Sequence, residues 1–204
     1  MTRADSDAGL LVLHALRCGG YAALPRLSAT TGLSEPDLES ELIDLAVAGY
    51  VTRPSGFDAW GCTAAGRDAD AEHITAQLEA AGARAAVTAA FDRFLVLNPE
   101  LLDLCTAWQL RPVEGDTVVN DHSDPAYDAR VLARFLDLHE RALPVCHALE
   151  AALPRFGRYR VRLTYALDQA RAGELALVAD STASYHVVWG ELHEDLLATL
   201  GIPR

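Results

Sequence analysis

The sequence predicts a mainly α protein with one short β-hairpin near the end of its first third, and three observations carry that expectation. Apolar residues recur at helical spacing along most of the chain, glycines close the early helical runs, and the turn-forming triplet Pro54-Ser55-Gly56 stands between two strand-prone segments. Leu10, Leu13 and Leu16 form the first stripe, Leu24 and Leu27 the second, and Leu38, Leu42, Leu45 and Ala46 the third. They end at Gly19-Gly20, Gly32 and Gly49. Ser34 ahead of Glu35, Pro36 and Asp37 offers the third helix an N-cap, with proline and acids in its first turn. Residues 50–53 and 57–63 read as the two strands.

Three short helices, a hairpin and a fourth helix follow one another in the order of a winged helix. The step out of the hairpin, Thr63-Ala64-Ala65-Gly66-Arg67, resembles the L-T-x-x-G-R step of MarR-type winged-helix regulators, with Cys62 where leucine is common. The resemblance covers the first third of the chain. It implies a winged-helix domain over residues 1–67, double-stranded DNA as partner, a third helix that recognises it, and a homodimer formed through the region that follows. The groups then expected to touch the DNA backbone are Arg26, Arg53 and Arg67 with Ser28, Thr30, Thr31 and Ser34.

Charge opposes that expectation. The 204 residues carry a formal net charge of −12, and all 17 basic residues are arginine. Residues 1–67 hold five arginines against eight acids, and the third helix carries Glu35, Asp37, Glu39, Glu41 and Asp44 without one base. An acidic surface is repelled by phosphates, which are normally met by Arg, Lys, hydroxyls and backbone amides. The four cysteines form no C-x-x-C pair, which argues against a zinc site and against a disulfide framework. No cofactor and no metal is expected. No run approaches the roughly 18 apolar residues of a membrane span, and Met1-Thr2-Arg3-Ala4-Asp5-Ser6-Asp7 is too acidic to start a signal peptide. The expectation is a cytoplasmic protein with no membrane partner.

Beyond the wing, residues 68–98 read as a long connecting helix with a weak point at Gly82 and a stop and restart at Asn98-Pro99. Residues 99–204 read as a helical domain that binds a ligand or partner. Residues 99–110 suit a short amphipathic helix, and 111–124 form the longest polar loop. Asp124 and Pro125 then open a helix as N-cap and first residue, with a kink or break expected near Arg141 because of Pro144. Two further helical runs cover 155–173 and 181–201. The segments WQLR, NDHSDPAYD, RFGRYRVRL and SYHVVWGELHEDLL resemble a helical region of bacterial winged-helix proteins. That region is also similar to the carboxyl end of some pyruvate phosphate dikinase-like chains. The catalytic domains of those enzymes are absent from this sequence.

The groups that can carry chemistry lie in this second part. His186 and His193 are two helical turns apart and share a face, and His122 can join them around an anion or a metal, although hydrogen bonds to carboxylates or backbone within the domain also account for them. Asn120, Asp121, His122, Asp124, Tyr127 and Asp128 crowd ionisable and hydrogen-bonding groups into nine residues, which capping and loop closure also explain. Arg155, Arg158 and Arg162 share a helical face suited to a small anionic ligand or an acidic partner, or to internal salt bridges. Trp108, Tyr185 and Trp189 line a pocket or pack as core. No serine elbow, phosphate loop or dinucleotide fingerprint occurs, so no catalytic residue is named.

The functional expectation is a winged-helix regulator of transcription whose helical domain senses a ligand or docks a partner. The alternatives are a non-DNA-binding adaptor associated with phosphoenolpyruvate- or pyruvate-type enzymes, and a small enzyme using the His122, His186 and His193 region. If the connecting region dimerises, light scattering at micromolar concentration gives a mass near twice the 21.9 kDa of one chain; a mass of one chain removes the dimer.

Overall fold

A computed structural model describes residues 7–203. Residues 1–6, on which most of the signal-peptide expectation rests, and Arg204 lie outside the described residues. Two compact units divide the chain, one running through Ala81 and including the residues from Glu194 onward, the other spanning Gly82–His193.

The first unit is built from α1 (Asp7–Gly19), α2 (Leu24–Thr31), α3 (Glu35–Val47), β1 (Val51–Thr52), β2 (Gly61–Cys62) and α4 (Ala64–Ala80). The leucine stripes converge. Leu13 and Leu16 of α1, Leu27 of α2, and Leu38, Leu42 and Leu45 of α3 form one buried cluster with Val12, Ala22 and Val51. Ser34 caps α3 by accepting from the Asp37 N–H at 3.3 Å while its hydroxyl donates to the Asp37 carboxylate at 2.6 Å. Strands β1 and β2 pair antiparallel with Val51 opposite Cys62, and Ala22 exchanges two backbone hydrogen bonds of 2.9 Å with Trp60. The segment between α1 and α2 therefore lies alongside the hairpin.

The Thr63-to-Arg67 step has a physical reason. Thr63 caps α4 by accepting from the Gly66 N–H at 3.0 Å, and its hydroxyl donates to the Gly49 carbonyl at 2.8 Å. Helix α4 thus starts hard against the end of α3. A Cβ on Gly66 would stand 2.0 Å from the Tyr50 carbonyl oxygen and 2.9 Å from the Cys62 sulfur.

The second unit begins after Gly82, whose positive φ of 58° turns the chain out of α4. It contains α5 (Arg84–Gln109), β3 (Leu110–Val113), β4 (Asp116–Val119), α6 (Pro125–Ala152), a 3-10 turn (Pro154–Phe156), α7 (Gly157–Arg171), α8 (Ala176–Ala179) and the first part of α9 (Tyr185–Leu200). Helix α6 packs on both α5 and α7, and α8 packs on α5 and α7. Four sequence expectations are corrected. The connecting helix of residues 68–98 is divided at Gly82 into α4 and α5. Helix α5 runs through Asn98-Pro99 without the expected stop, and α6 runs through Pro144 without a break. The residue 111–124 loop holds most of a four-residue-per-strand hairpin, with Leu110 opposite Val119.

Packing explains both intact prolines. A proline inside a helix forfeits one hydrogen bond, which ends a marginal helix but not one held on both sides by tertiary burial. Phe94, Leu97 and Leu101 are buried around Pro99, and Ala142, Val145 and Cys146 around Pro144.

The tight approach of α4 to Tyr50 yields a stability prediction. Gly66→Ala must push a backbone carbonyl aside, so it costs about 3 kcal/mol, toward the upper end of overpacking substitutions. The check is the urea midpoint, with Ala65→Ser on the exposed neighbour unchanged.

Candidate functional site

The outward surface of α3 and the hairpin is acidic and apolar, and of the groups expected to meet DNA it carries Arg53 and the α3 cap Ser34, the others lying on α2 and α4. Leu38, Leu42 and Leu45 turn inward, which leaves Glu35, Asp37 and Glu39 exposed together with Ile43 (58 % exposed) and Val47 (85 %). Phe57, at the hairpin tip, is 69 % exposed. A cleft of about 510 Å³ between them is lined by Leu24, Glu39, Ile43, Arg53, Asp58 and Trp60.

Several of the polar groups expected to contact DNA have partners inside the unit. The Ser28 hydroxyl donates to the Leu33 carbonyl at 2.7 Å, and that of Thr31 to the Leu27 carbonyl at 2.7 Å. Ser34 is the α3 cap. The Arg53 guanidinium pairs with Asp58 and lies over the Trp60 ring, 5.8 Å from its centroid. Arg67 donates to the Cys62 carbonyl at 3.1 Å. Arg26 and Thr30 sit half-buried on α2.

In the second unit the loop after β4 builds a polar knot. Asn120, buried, donates through Nδ2 to the Trp108 carbonyl at 2.9 Å and to Asp128 Oδ1 at 2.8 Å. His122 adopts a positive φ of 58°, and its Nδ1 lies 3.0 Å from Asp128 Oδ2. Donation from Nδ1 to that carboxylate leaves Nε2 as the ring's acceptor. The imidazole also lies against the Trp108 ring with centroids 4.9 Å apart. Asp121 holds Arg111 and Ser123, Asp124 caps α6 through the Ala126 and Tyr127 N–H groups, and the Tyr127 hydroxyl donates to the Ala107 carbonyl at 2.7 Å. The Ser123 hydroxyl is turned to Asp121 and not to the His122–Asp128 pair. The knot presents the His122 Nε2 lone pair as a hydrogen-bond acceptor for a ligand.

The remaining candidates are absorbed by the fold of this unit. Arg155 lies over Phe156 and Arg158 over Tyr159, at 4.4 and 5.0 Å from the ring centroids. Arg162 meets Glu191 at 2.6 Å. Trp108, Phe135, Tyr185, Trp189 and Phe94 form an unbroken series of ring contacts, in which His193 stacks on Phe94 at 5.6 Å. The Trp189 indole donates to Asn98 Oδ1 at 2.9 Å. His186 is half-buried. The structure gives His122 and His193 different partners and does not gather them with His186.

Two histidines that sequence reasoning passed over are the most deeply engaged. His139 lies between Tyr185 and Thr164, at 3.3 and 3.1 Å, and burial holds its pKa below the ordinary value against the opposing pull of Glu140 and Asp168. In the first unit, His14 is only 2 % exposed and meets two carboxylates that are fully buried. Its Nδ1 is 3.1 Å from both oxygens of Asp70 on α4, and its Nε2 is 3.1 Å from Asp195 Oδ2 on the last helix. Arg17 reaches Asp70 at 3.3 Å, and the Thr199 hydroxyl donates to Asp195 Oδ1 at 3.0 Å. Cys18 Sγ stands 3.6 Å from His14 Nε2. Burial by itself lowers the His14 pKa, but Cys18, Asp195 and Asp70 raise it by more, so it stands well above the ordinary range. Donor atoms of His14, Cys18 and Asp195 lie within 4.8 Å of one another. The His-x-x-x-Cys spacing on α1 was the one sequence signal of this group.

No protein family, curated protein or solved structure matches the chain.

The depressed pKa of His139 has a definite sign. A histidine kept neutral by the fold contributes stability that is present above its unfolded value of about 6.5 and is lost as pH falls towards its folded value. Thermal unfolding followed from about pH 7.5 down to about pH 5 falls less steeply in His139→Gln than in the wild type; equal slopes would show that His139 takes no part.

Proposed function

We propose that residues 7–67 are a winged helix that docks a basic, apolar-faced protein segment instead of gripping duplex DNA. The element order α1, α2, α3, β1, β2, α4 and the bridge from Ala22 to Trp60 support the winged-helix reading. The observation that carries the function is the outward face of α3, where Ile43 and Val47 stand exposed among Glu35, Asp37 and Glu39 with no basic residue on the helix.

Physical chemistry separates the two kinds of partner. Duplex DNA presents one negative charge per roughly 1.7 Å of axis, so an acidic helix in its groove meets repulsion along its length. Arg53, the best placed phosphate anchor, has its charge answered by Asp58 and its face laid on Trp60. A partner with Lys or Arg flanking apolar side chains reverses every one of these terms. Its charges pair with the α3 acids, and an apolar side chain enters the cleft beside Ile43, Leu24 and Trp60. The resemblance of the carboxyl region to phosphate dikinase-like chains makes enzymes acting on phosphoenolpyruvate or pyruvate the first place to look for such a segment. The MarR-like regulator remains the competing reading, carried by the layout of the unit.

Fluorescence anisotropy at low salt decides between them with three labelled probes: a basic amphipathic peptide, its charge-reversed counterpart and a random duplex. The basic peptide binds, the charge-reversed one does not, and Ile43→Ser weakens the peptide about tenfold, as loss of an interface anchor does. Duplex affinity falls at or beyond the weak end of the usual 10⁻⁴ to 10⁻⁶ M range for non-specific binding. Micromolar duplex binding that is lost in Arg53→Ala overturns the docking reading and restores the regulator.

A further inference from the structure

We propose that His14 Nε2, Cys18 Sγ and Asp195 Oδ2 form a binding site for one divalent transition-metal ion of the zinc class. The three donors belong to a single compact unit and lie within 4.8 Å of one another, with both separations from His14 close to those of ligands around a metal. A tetrahedral ion sits about 2.0 Å from nitrogen and oxygen and about 2.3 Å from sulfur, which sets N···O edges of about 3.3 Å and N···S edges of about 3.5 Å. The corresponding separations here are 3.1 Å from His14 to Asp195 and 3.6 Å from His14 to Cys18. Donors of nitrogen, sulfur and oxygen together suit zinc or cobalt and not magnesium or calcium.

The surroundings are those of metal ligands. Metal-bound histidines characteristically give their second ring nitrogen to a carboxylate, which fixes the tautomer and aims the free lone pair. Asp70 takes that place on Nδ1 with both oxygens at 3.1 Å. The Thr199 hydroxyl lies 2.7 Å from the Asp195 carbonyl and 3.0 Å from Oδ1, and Asp195 Oδ2 faces His14 and the metal position. Helix geometry does the rest, because residues four apart on α1 present His14 and Cys18 on one face.

The charges close. Cys18 thiolate, Asp195 and Asp70 supply three negative charges, Arg17 supplies one positive, and a divalent ion makes the group neutral. Binding displaces one proton from the His14 ring and one from the Cys18 thiol into solvent, so the neutral imidazole and the thiolate are the ligating forms. Cys18 is half-buried while His14 and Asp195 are fully enclosed, so the fourth tetrahedral position lies on the Cys18 side, where water or an exogenous ligand can complete the shell.

The test uses the full chain stripped with a chelator and titrated with Co²⁺, followed by competition with Zn²⁺. The expected result is one equivalent of cobalt showing the strong ligand-field bands of a tetrahedral ion and a thiolate charge-transfer band, both removed by Zn²⁺. Cys18→Ser, at the part-exposed position least costly to the fold, abolishes the charge-transfer band. Cys62→Ser leaves the spectrum unchanged. Asp70→Asn, which acts on the metal only through His14, weakens affinity by about 10- to 100-fold without changing stoichiometry. Circular dichroism accompanies each variant so that loss of fold is distinguished from loss of binding. Absence of cobalt binding by the wild type, weak octahedral spectra, or a charge-transfer band that survives in Cys18→Ser overturns the proposal and leaves His14 as an imidazolium clamped between two carboxylates.

Discussion

A buried carboxylate is tolerated only where its charge is answered, and in the first unit a single histidine ring answers two. Asp70 and Asp195 are both fully buried, and each is met by one nitrogen of His14 at 3.1 Å. That ring ties α1 to α4 and to the carboxyl end of the last helix. Removing one member of a buried charged group commonly costs on the order of 3–5 kcal/mol, because the others are left desolvated and unanswered. The leucine core of α1, α2 and α3 supplies apolar burial in this unit, and the His14 group adds a buried polar link from α1 to Asp70 and Asp195.

The second unit solves a different problem. It carries two long helices with internal prolines and an unusual run of aromatic residues. The rings pack in sequence from Trp108 through Phe135, Tyr185 and Trp189 to Phe94, and the Trp108 indole N–H is buried among them without a hydrogen-bond partner. Asn98 accepts from the Trp189 indole, and Tyr185 shares a hydrogen bond with His139. Burial pushes the thiols of Cys105 and Cys146 up, to about 12 and about 11, so neither is a thiolate at neutral pH. These cysteines are packing residues. The basic cluster of α7 is likewise spent on packing and ion pairs: Arg160 with Glu150 and Arg162 with Glu191.

The fold of the first unit also decides what is left outside. Inward leucines at positions 38, 42 and 45 compel the acids, Ile43 and Val47 of α3 to face solvent, because a helix has only one buried stripe to give. A surface of that kind is ill-matched to phosphates and well matched to a basic segment. The hairpin contributes Phe57 and an arginine already answered by Asp58, which adds apolar area without adding free positive charge.

Local features were legible in the sequence because local physics produces them. Period, glycine punctuation and capping residues located α1, α2 and α3 and the Ser34 and Asp124 caps, each of which depends on neighbours within a few residues. The acidic character of α3 was legible for the same reason. Interactions decided by residues far apart were not. Prolines 99 and 144 signal breaks when read alone, and only burial of Phe94, Leu101, Val145 and Cys146 shows why the helices continue. The hairpin at residues 110–119 hides in a polar stretch because its strands pair with each other and bury almost nothing. His14 and Cys18 carry a helical spacing that sequence can display, but Asp70 lies 56 positions from His14 and Asp195 more than twice as far again. No periodicity spans such separations. Secondary structure here follows from the chain itself, whereas the partner of a buried charge such as Asp70 or Asp195 is set by tertiary packing, because burying a charge without an answering group is costly.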